Sequence, residues 1–283
     1  MGELLKNKVA LVTGGAGGIG AAICKKLAQE GASVIITYNS NAEKAESLAQ
    51  ILRGLHVEFG LSDFGSKLPK SDSPNPQSFA VFHAPTTDIE RLNALSDFIK
   101  NEYGKLDILV NNAGITTPVP HDDLDGLTDE WIDKIMQTNV RGTFAMIRAC
   151  KSALLAATQN ALSFSRNETQ NALVVNVSSI AAISGIGSNV AYCASKAAVD
   201  SITRSLARAL APKIRVVSVS PGWVLGEYAK TVDPAYLQMQ ENLTPLSRLA
   251  TPEDVADTIL ALATYLRFTT GSIIPVDGGR LLK

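Results

Sequence analysis

Three residues in the stretch SIAAISGIGSNVAYCASK carry groups that could move a proton to or from an oxygen: a hydroxyl at Ser179, a phenol at Tyr192 and an amine at Lys196. If a helix runs through Tyr192, Lys196 four residues on shares its face, close enough for the cation to act on the phenol. A free tyrosine, with a pKa of roughly 10, is a poor acid at neutral pH. A neighbouring positive charge favours the phenolate and brings that value towards the working range, which makes Tyr192 a candidate general acid/base. The spacing Tyr-x-x-x-Lys is common by chance, so its weight depends on the elements that would place it.

Those elements alternate. The run KVALVT, Lys8 to Thr13, reads as a strand, GGAGGIG follows it, and Ala21 to Glu30 has helical composition with Gly31 as its stop. Glycines at 14, 18 and 20 in a strand-to-helix turn let the backbone approach a pyrophosphate, and the helix N-terminus offers it free N–H groups. The spacing is Gly-x-x-x-Gly-x-Gly. A second strand, Ala32 to Tyr38, ends at Tyr38, Asn39, Ser40 and Asn41, with no acid before Glu43. Amide and hydroxyl donors there suit a ribose 2′-phosphate, which a carboxylate would repel, and this favours NADP(H), with NAD(H) as the alternative.

A helix over Ala42 to Leu52 precedes a polar excursion, Ser62 to Gln77, and a third strand, Ser78 to His83. Ile89 to Tyr103 reads as a helix and Leu106 to Val110 as a strand, running into Asn111, Asn112 and Gly114 at a strand end where open α/β sheets bind ligands. A long helical stretch from Asp129 towards Ala157 carries Asn139, a polar residue among apolar ones that is either a structural bridge or part of a polar relay. A second excursion, Thr158 to Gln170, leads into strand Ala172 to Val177. There follow a helix from Tyr192 to Leu210 with an apolar face of Ala197, Ala198, Ile202, Leu206 and Ala209, strand Ile214 to Val219, helix Pro252 to Tyr265 and strand Ser272 to Val276. Both excursions enter strands, so they are expected at the sheet edge remote from Tyr192. The alternation implies an α/β fold: a single doubly wound parallel sheet over residues 1–283, with helices on both faces.

Composition sets limits. A chain of 283 residues with 46% hydrophobic content can bury a substantial core. Its 26 basic and 27 acidic residues nearly cancel, so no charge surplus points to nucleic acid. No apolar run reaches the ~18 residues a membrane span needs, and the N-terminus lacks the apolar core of a signal peptide. Cys24, Cys150 and Cys193 are odd in number and lie among small apolar residues, as expected in a reducing compartment. The expected location is cytoplasmic.

Seven motifs, TGGAGGIG, NNAG, TNVRGTF, NVSS, YCASK, SPGW and VDGG, stand in the order and approximate spacing of the short-chain dehydrogenase/reductase family, which the chain resembles over nearly its whole length. PLSRLATPEDVA further resembles the subgroup of 3-oxoacyl-acyl-carrier-protein reductases and many ketone reductases. The resemblance implies a single Rossmann-like domain with about seven parallel strands, usually in homotetramers or dimers. It implies that Tyr192 is the proton donor, that Lys196 lowers its pKa and holds the nicotinamide ribose, and that Ser179, thirteen residues before Tyr192, orients the substrate carbonyl. Asn139 matches the asparagine that holds a water linking the lysine to solvent. Gly14, Gly18, Ile19 and Gly20 match the pyrophosphate loop, Asn112 the ribose-proximal asparagine, and Val224 the backbone contact to the nicotinamide amide.

No metal is called for, because hydroxyls polarise the carbonyl and the cofactor carries the hydride. Three positions depart from the pattern: Gly17 where many NADP-dependent members have a basic residue, Ala84 where an aspartate near the adenine is usual, and Gly226 in place of a common threonine. The expected function is NADP(H)-preferring interconversion of a carbonyl and a secondary alcohol, on a small-molecule substrate. Two alternatives are a reductase of carrier-linked 3-oxoacyl groups, whose acidic carrier would need basic docking residues, and a catalytically idle dinucleotide-binding scaffold.

Overall fold

The computed structural model describes residues 3–58, 77–158, 171–226 and 232–282. Seven strands form one parallel sheet: β1 (Val9–Val12), β2 (Ser33–Tyr38), β3 (Phe79–His83), β4 (Ile108–Asn111), β5 (Ala172–Val177), β6 (Ile214–Pro221) and β7 (Ile273–Val276), in spatial order β3-β2-β1-β4-β5-β6-β7. β1 is an apolar run and β5 an apolar run broken only by Asn176, and both are buried along their whole length, as strands covered on both faces must be. The order reverses between β1 and β4, and the crevice outside the carboxyl ends of these two strands is where open sheets bind dinucleotides.

Among the described residues, α-helices cover the two faces. On one face, α1 (Gly18–Gln29), α2 (Ala42–Glu58) and α9 (Pro252–Thr264) contribute Ile23, Leu27, Leu52, Ile259 and Leu262 to a core over Ala10, Val110 and Val217. On the other, α3 (Ile89–Glu102) and α5 (Thr143–Ala156) set Leu95, Ile99, Met146 and Leu154 over Leu11, Leu109 and Val174. The remaining helices are α4 (Asp129–Ile135), α6 (Ala181–Ser184), α7 (Val190–Leu210) and α8 (Pro234–Asn242).

Several boundaries differ from those read in the sequence. α2 runs past Leu52 and through Gly54 to Glu58. A Cβ at Gly54 would touch nothing, and the buried face of Ala45, Leu48, Ala49 and Leu52 outweighs the roughly 1 kcal/mol that a helical glycine costs. The long helical stretch from Asp129 is broken by a π-helical segment, Met136–Gly142, which holds Asn139; such segments recur at functional sites. α7 begins at Val190, because the Asn189 side chain accepts a bond from Tyr192 N (2.7 Å) and caps it.

The larger correction concerns the face of α7. The apolar stripe of Ala197, Ile202 and Leu206 is exposed or half-buried, while Lys196, Asp200 and Thr203 point inwards. The reason lies beneath: Asn111 Nδ2 bonds Asn176 Oδ1 (2.9 Å), Asn176 Nδ2 bonds Thr203 Oγ1 (2.8 Å), and Thr203 Oγ1 lies 2.8 Å from Ser218 Oγ. This buried polar ladder crosses β4, β5 and β6, and it needs polar partners from the helix. Most of the two polar excursions, residues 62–76 and 159–170, lies outside the described residues.

Candidate active site

The first strand ends in a turn made for a close approach. Gly14 has φ +60°, a conformation that disfavours any side chain. Gly20 is packed so tightly that a Cβ would run into Gly14 O and come within 2.8 Å of Asn112 Nδ2. Gly18 is different: nothing lies within 4 Å of a Cβ there, and α1 starts at this residue with no side-chain cap from Gly17. Open space thus faces the uncapped N-terminus of a helix twelve residues long, a setting that suits a phosphate group. Ile19 is half-buried and packs on the core behind the turn.

Asn112 holds this turn. Its Nδ2 donates to Thr13 O (3.0 Å) and Gly14 O (3.1 Å), while Thr13 Oγ1 accepts from Asn112 N (3.0 Å) and Ala113 N (2.9 Å). Its amide nitrogen therefore ties β1 to β4, a use that the resemblance did not imply.

At the end of β2, Tyr38 is half-buried and Asn39 and Ser40 are exposed. His83, across from Tyr38 in the β2–β3 register, stacks its ring 5.2 Å from that of Tyr38 and donates from Nε2 to Asn39 O (2.9 Å). The sequence reading missed His83, since only strand pairing puts it there. Ala84 beside it is buried and offers no side chain to a ligand.

The candidate proton-transfer groups lie at the ends of β4 and β5. Lys196 is buried, its Nζ 2.9 Å from Val177 O and 5.6 Å from the centroid of the Tyr192 ring. Burial pulls its pKa down to about 8, partly opposed by the negative charge of Asp200 one turn further on. Burial raises the pKa of Asp200, against the opposing influence of Ser178, Ser218, Arg204 and Lys196.

Geometry separates the two serines. Ser178 is buried and donates to Lys196 O (3.2 Å); Ser179 is half-buried, its Oγ accepting from Ala181 N (3.1 Å) at the start of α6. Ser179 is thus the hydroxyl that remains on the open side. Asn139, 1% exposed, accepts from Ile115 N (2.9 Å) and donates to Ile115 O (3.0 Å) and Ser195 Oγ (3.0 Å). Its side chain is a structural bridge between the loop after β4 and α7. A Cβ on Gly114 would lie 3.3 Å from Asn139 Oδ1 and 3.4 Å from Lys196 Nζ, so both residues crowd one glycine.

Val224 is buried and bridges Ala250, and the flanking backbone is fixed by Ala250 N to Trp223 O (3.0 Å) and Leu225 N to Ala250 O (2.8 Å). Among the described residues, no three His, Cys, Asp or Glu side chains gather to hold a metal ion, and no helix is long and apolar enough to cross a membrane.

A family profile described as enoyl-(acyl carrier protein) reductase matches residues 45–280, and one described as NADP oxidoreductase, coenzyme F420-dependent, matches residues 8–63. The chain belongs to the short-chain dehydrogenase/reductase family. It is 32% identical over 277 residues to a 3alpha-hydroxysteroid dehydrogenase of Mediterraneibacter gnavus, covering 97% of each chain. It is 30% identical over 280 residues to a 3-oxoacyl-[acyl-carrier-protein] reductase of Staphylococcus aureus, covering 96% of this chain and 98% of that one. Among solved structures, a short-chain dehydrogenase/reductase (glucose/ribitol dehydrogenase) from Brucella melitensis superposes with a TM-score of 0.80 at 27% identity, covering 99% of both chains. The chain is an oxidoreductase of this family, with its single seven-stranded parallel sheet.

Proposed function

We propose that the protein is an NADP(H)-preferring oxidoreductase that interconverts a ketone and a secondary alcohol, with Tyr192 as the group that gives and takes the proton. The observation that carries this reading is the buried ammonium of Lys196 beside the Tyr192 ring, with the Ser179 hydroxyl left on the open side. When bound, the nicotinamide supplies or accepts the hydride at the carbonyl carbon. The residues present fit such a cofactor: Gly14, Gly18, Ile19 and Gly20 would receive its pyrophosphate, Tyr38, Asn39 and Ser40 its adenosine ribose, Lys196 its nicotinamide ribose, and the backbone at Val224 its amide.

Ser179 Oγ holds the substrate oxygen as negative charge develops there, and Tyr192 Oη donates its proton to that oxygen. The phenolate left behind is favoured by the Lys196 cation and regains a proton from solvent. In the oxidative direction the same groups run in reverse. Asn139 keeps the loop at Ile115 against α7 and so holds the lysine's surroundings in place.

The preference for NADP(H) rests on the exposed Asn39 and Ser40 donors and on the absence of a carboxylate from Tyr38 to Asn41. Titrating NADPH and NADH into the protein tests it. NADPH is expected to bind more tightly, and Asn39→Asp to erase or reverse the difference; tighter NADH binding by the unaltered protein refutes the assignment. We assign the protein to the cytoplasm and to a homo-oligomer, dimer or tetramer. The support for association is an unburied apolar surface on the π-helical segment, α5 and α7, made by Met136, Val140, Phe144 and Ile202.

A further inference from the structure

β3 is the edge strand of the sheet, and its last residue, His83, stands in register with Tyr38 at the carboxyl end of β2. The two rings lie 5.2 Å apart, tilted by 38°, and His83 Nε2 donates to Asn39 O (2.9 Å). Ala84 N donates to Tyr38 O (3.1 Å), so the chain after His83 is tied to the same strand end. The glycine turn after β1 closes on it too, through Gly15 N to Thr37 O (3.1 Å). His83 is thus fixed at the tip of β2, beside the turn that suits a pyrophosphate.

A phosphate ester at this tip would carry close to two negative charges above about pH 6, and a positively charged donor holds such a group best. Asn39 and Ser40 are neutral, Gly17 has no side chain, and Asn41 Oδ1 is engaged by Lys44 N (2.9 Å) at the start of α2. With Nε2–H committed to Asn39 O, a neutral His83 presents a lone pair at Nδ1, which repels an anion. One proton turns that nitrogen into a donor and the ring into a cation. No described residue bonds Nδ1. The ionisable groups on the elements packed against this end of β3 are the Tyr38 phenol and, in the first turns of α2, Glu43, Lys44 and Glu46; Asp88 and Arg91 stand at the start of α3. All of these but Tyr38 are exposed, so solvent and salt screen them. Arg53 of α2 lies at the other end of β3 and donates to Phe79 O (2.9 Å).

We propose that His83 is a cofactor-specificity residue: the 2′-phosphate of NADP(H) draws a proton from solvent onto Nδ1, and the imidazolium so formed holds the phosphate together with Asn39 and Ser40. The inference rests on the NADP(H) preference proposed above and gives it a cation, which residues Tyr38 to Asn41 do not contain. Binding of NADPH then takes up a proton that binding of NADH does not. By linkage, the extra affinity is present at low pH, where the proton is available, and is lost as pH rises.

The test is calorimetric titration of NADPH and NADH into the full chain without substrate, in buffers of different ionisation enthalpy so that protons taken up are counted. Between about pH 7 and 8.5 the phosphate keeps nearly its full charge, and the preference for NADPH is expected to fall severalfold over that range. Lys196 would meet the nicotinamide ribose of both cofactors and cancels in the ratio. His83→Gln keeps a neutral donor for Asn39 O; it is expected to cut the preference by roughly fivefold or more, to abolish the proton uptake and to flatten the pH dependence, with NADH affinity nearly unchanged. His83→Phe, which keeps a ring against Tyr38 without either nitrogen, is expected to do the same. An unaltered protein that prefers NADPH without taking up a proton, or a His83→Gln variant that retains the full preference, overturns the assignment and leaves the NADP(H) reading standing. Equal losses of NADH and NADPH affinity in both variants would make His83 a structural prop and overturn it as well. A preference lost in Lys44→Gln and kept in His83→Gln would give the phosphate to α2 instead. Tighter binding of NADH by the unaltered protein refutes the NADP(H) reading itself, and this proposal with it.

Discussion

Lys196 keeps its amine where burial works against its charge, and the consequence can be read as a function of pH. Its pKa of about 8 in the folded protein lies below its ordinary value of 10.5. Between these two values the unfolded chain binds more protons, so this group makes stability rise with pH there; below about 8 it is charged in both states and its burial penalty is fully felt. Cofactor binding should show the opposite trend, because the lysine that would meet the ribose loses its proton as pH rises through about 8. NADPH affinity, followed by fluorescence titration, is expected to weaken over that range, and Lys196→Arg, which stays charged, to flatten the profile. A wild-type affinity that does not change between about pH 7 and 10 would show that this amine does not serve the cofactor. The candidate site residues could be named from the sequence because each belongs to a short motif with its own chemistry. His83 could not, because its nearness to Asn39 exists only through the pairing of β2 and β3. The choice of Ser179 over Ser178 came from the resemblance; in the structure the Ser178 hydroxyl is buried against Lys196 O and Ser179 is half-buried.

Among the elements, strands were easier to read than helix faces. Buried parallel strands are continuous apolar runs with few other readings, and all seven lie where such runs were found. The helix-face reading failed where polar groups turn inwards: α7 directs Lys196, Asp200 and Thr203 inwards because the sheet beneath carries Asn176 and Ser218, and α8, which was not read at all, buries Gln240 while exposing Tyr236 and Met239. Periodicity assigns the apolar side to the core, and in α7 it picked the exposed Ala197 and Ala209 while Val199 and Ala207 lie buried beside Lys196, Asp200 and Thr203. The segment from Leu225 to Leu249 gave no helix in sequence, although Asp233 caps α8 through Ala235 N and Pro234 opens it. α9 is the contrary case, announced by TPED. Thr251 Oγ1 accepts from Asp254 N, Asp254 Oδ2 accepts from Thr251 N (2.7 Å), and Arg248 beside it holds the Asp254 carboxyl down to about 2. Thr251→Ala is expected to cost about 1 kcal/mol and lower the melting temperature by roughly 2–4 °C with little change in cofactor affinity. Calorimetry checks it, and an unchanged melting temperature would mean that the cap contributes nothing.

For the molecule as a whole, the strand order brings the ends of β1, β4, β5 and β6 to one edge, and the glycine turn, Asn112, Ser179 and Val224 all lie on it. The same topology leaves Met136, Val140, Phe144 and Ile202 unburied on the flank, which no reading of a single chain would favour. Phe144→Glu is expected to shift the protein towards a smaller species in light scattering with its fold retained; an unchanged mass would remove this face from the subunit contact. The central claim is that Tyr192 donates the proton in NADPH-dependent carbonyl reduction, and it has a direct measurement. NADPH absorbance is followed with an uncharged ketone for the unaltered protein and for Tyr192→Phe, alongside the NADPH affinity of each. The expected result is consumption of NADPH by the unaltered protein and a loss of kcat of at least ~10²-fold in the variant, the scale of a missing general acid, at nearly equal cofactor affinity. Near-normal turnover by Tyr192→Phe would contradict the account.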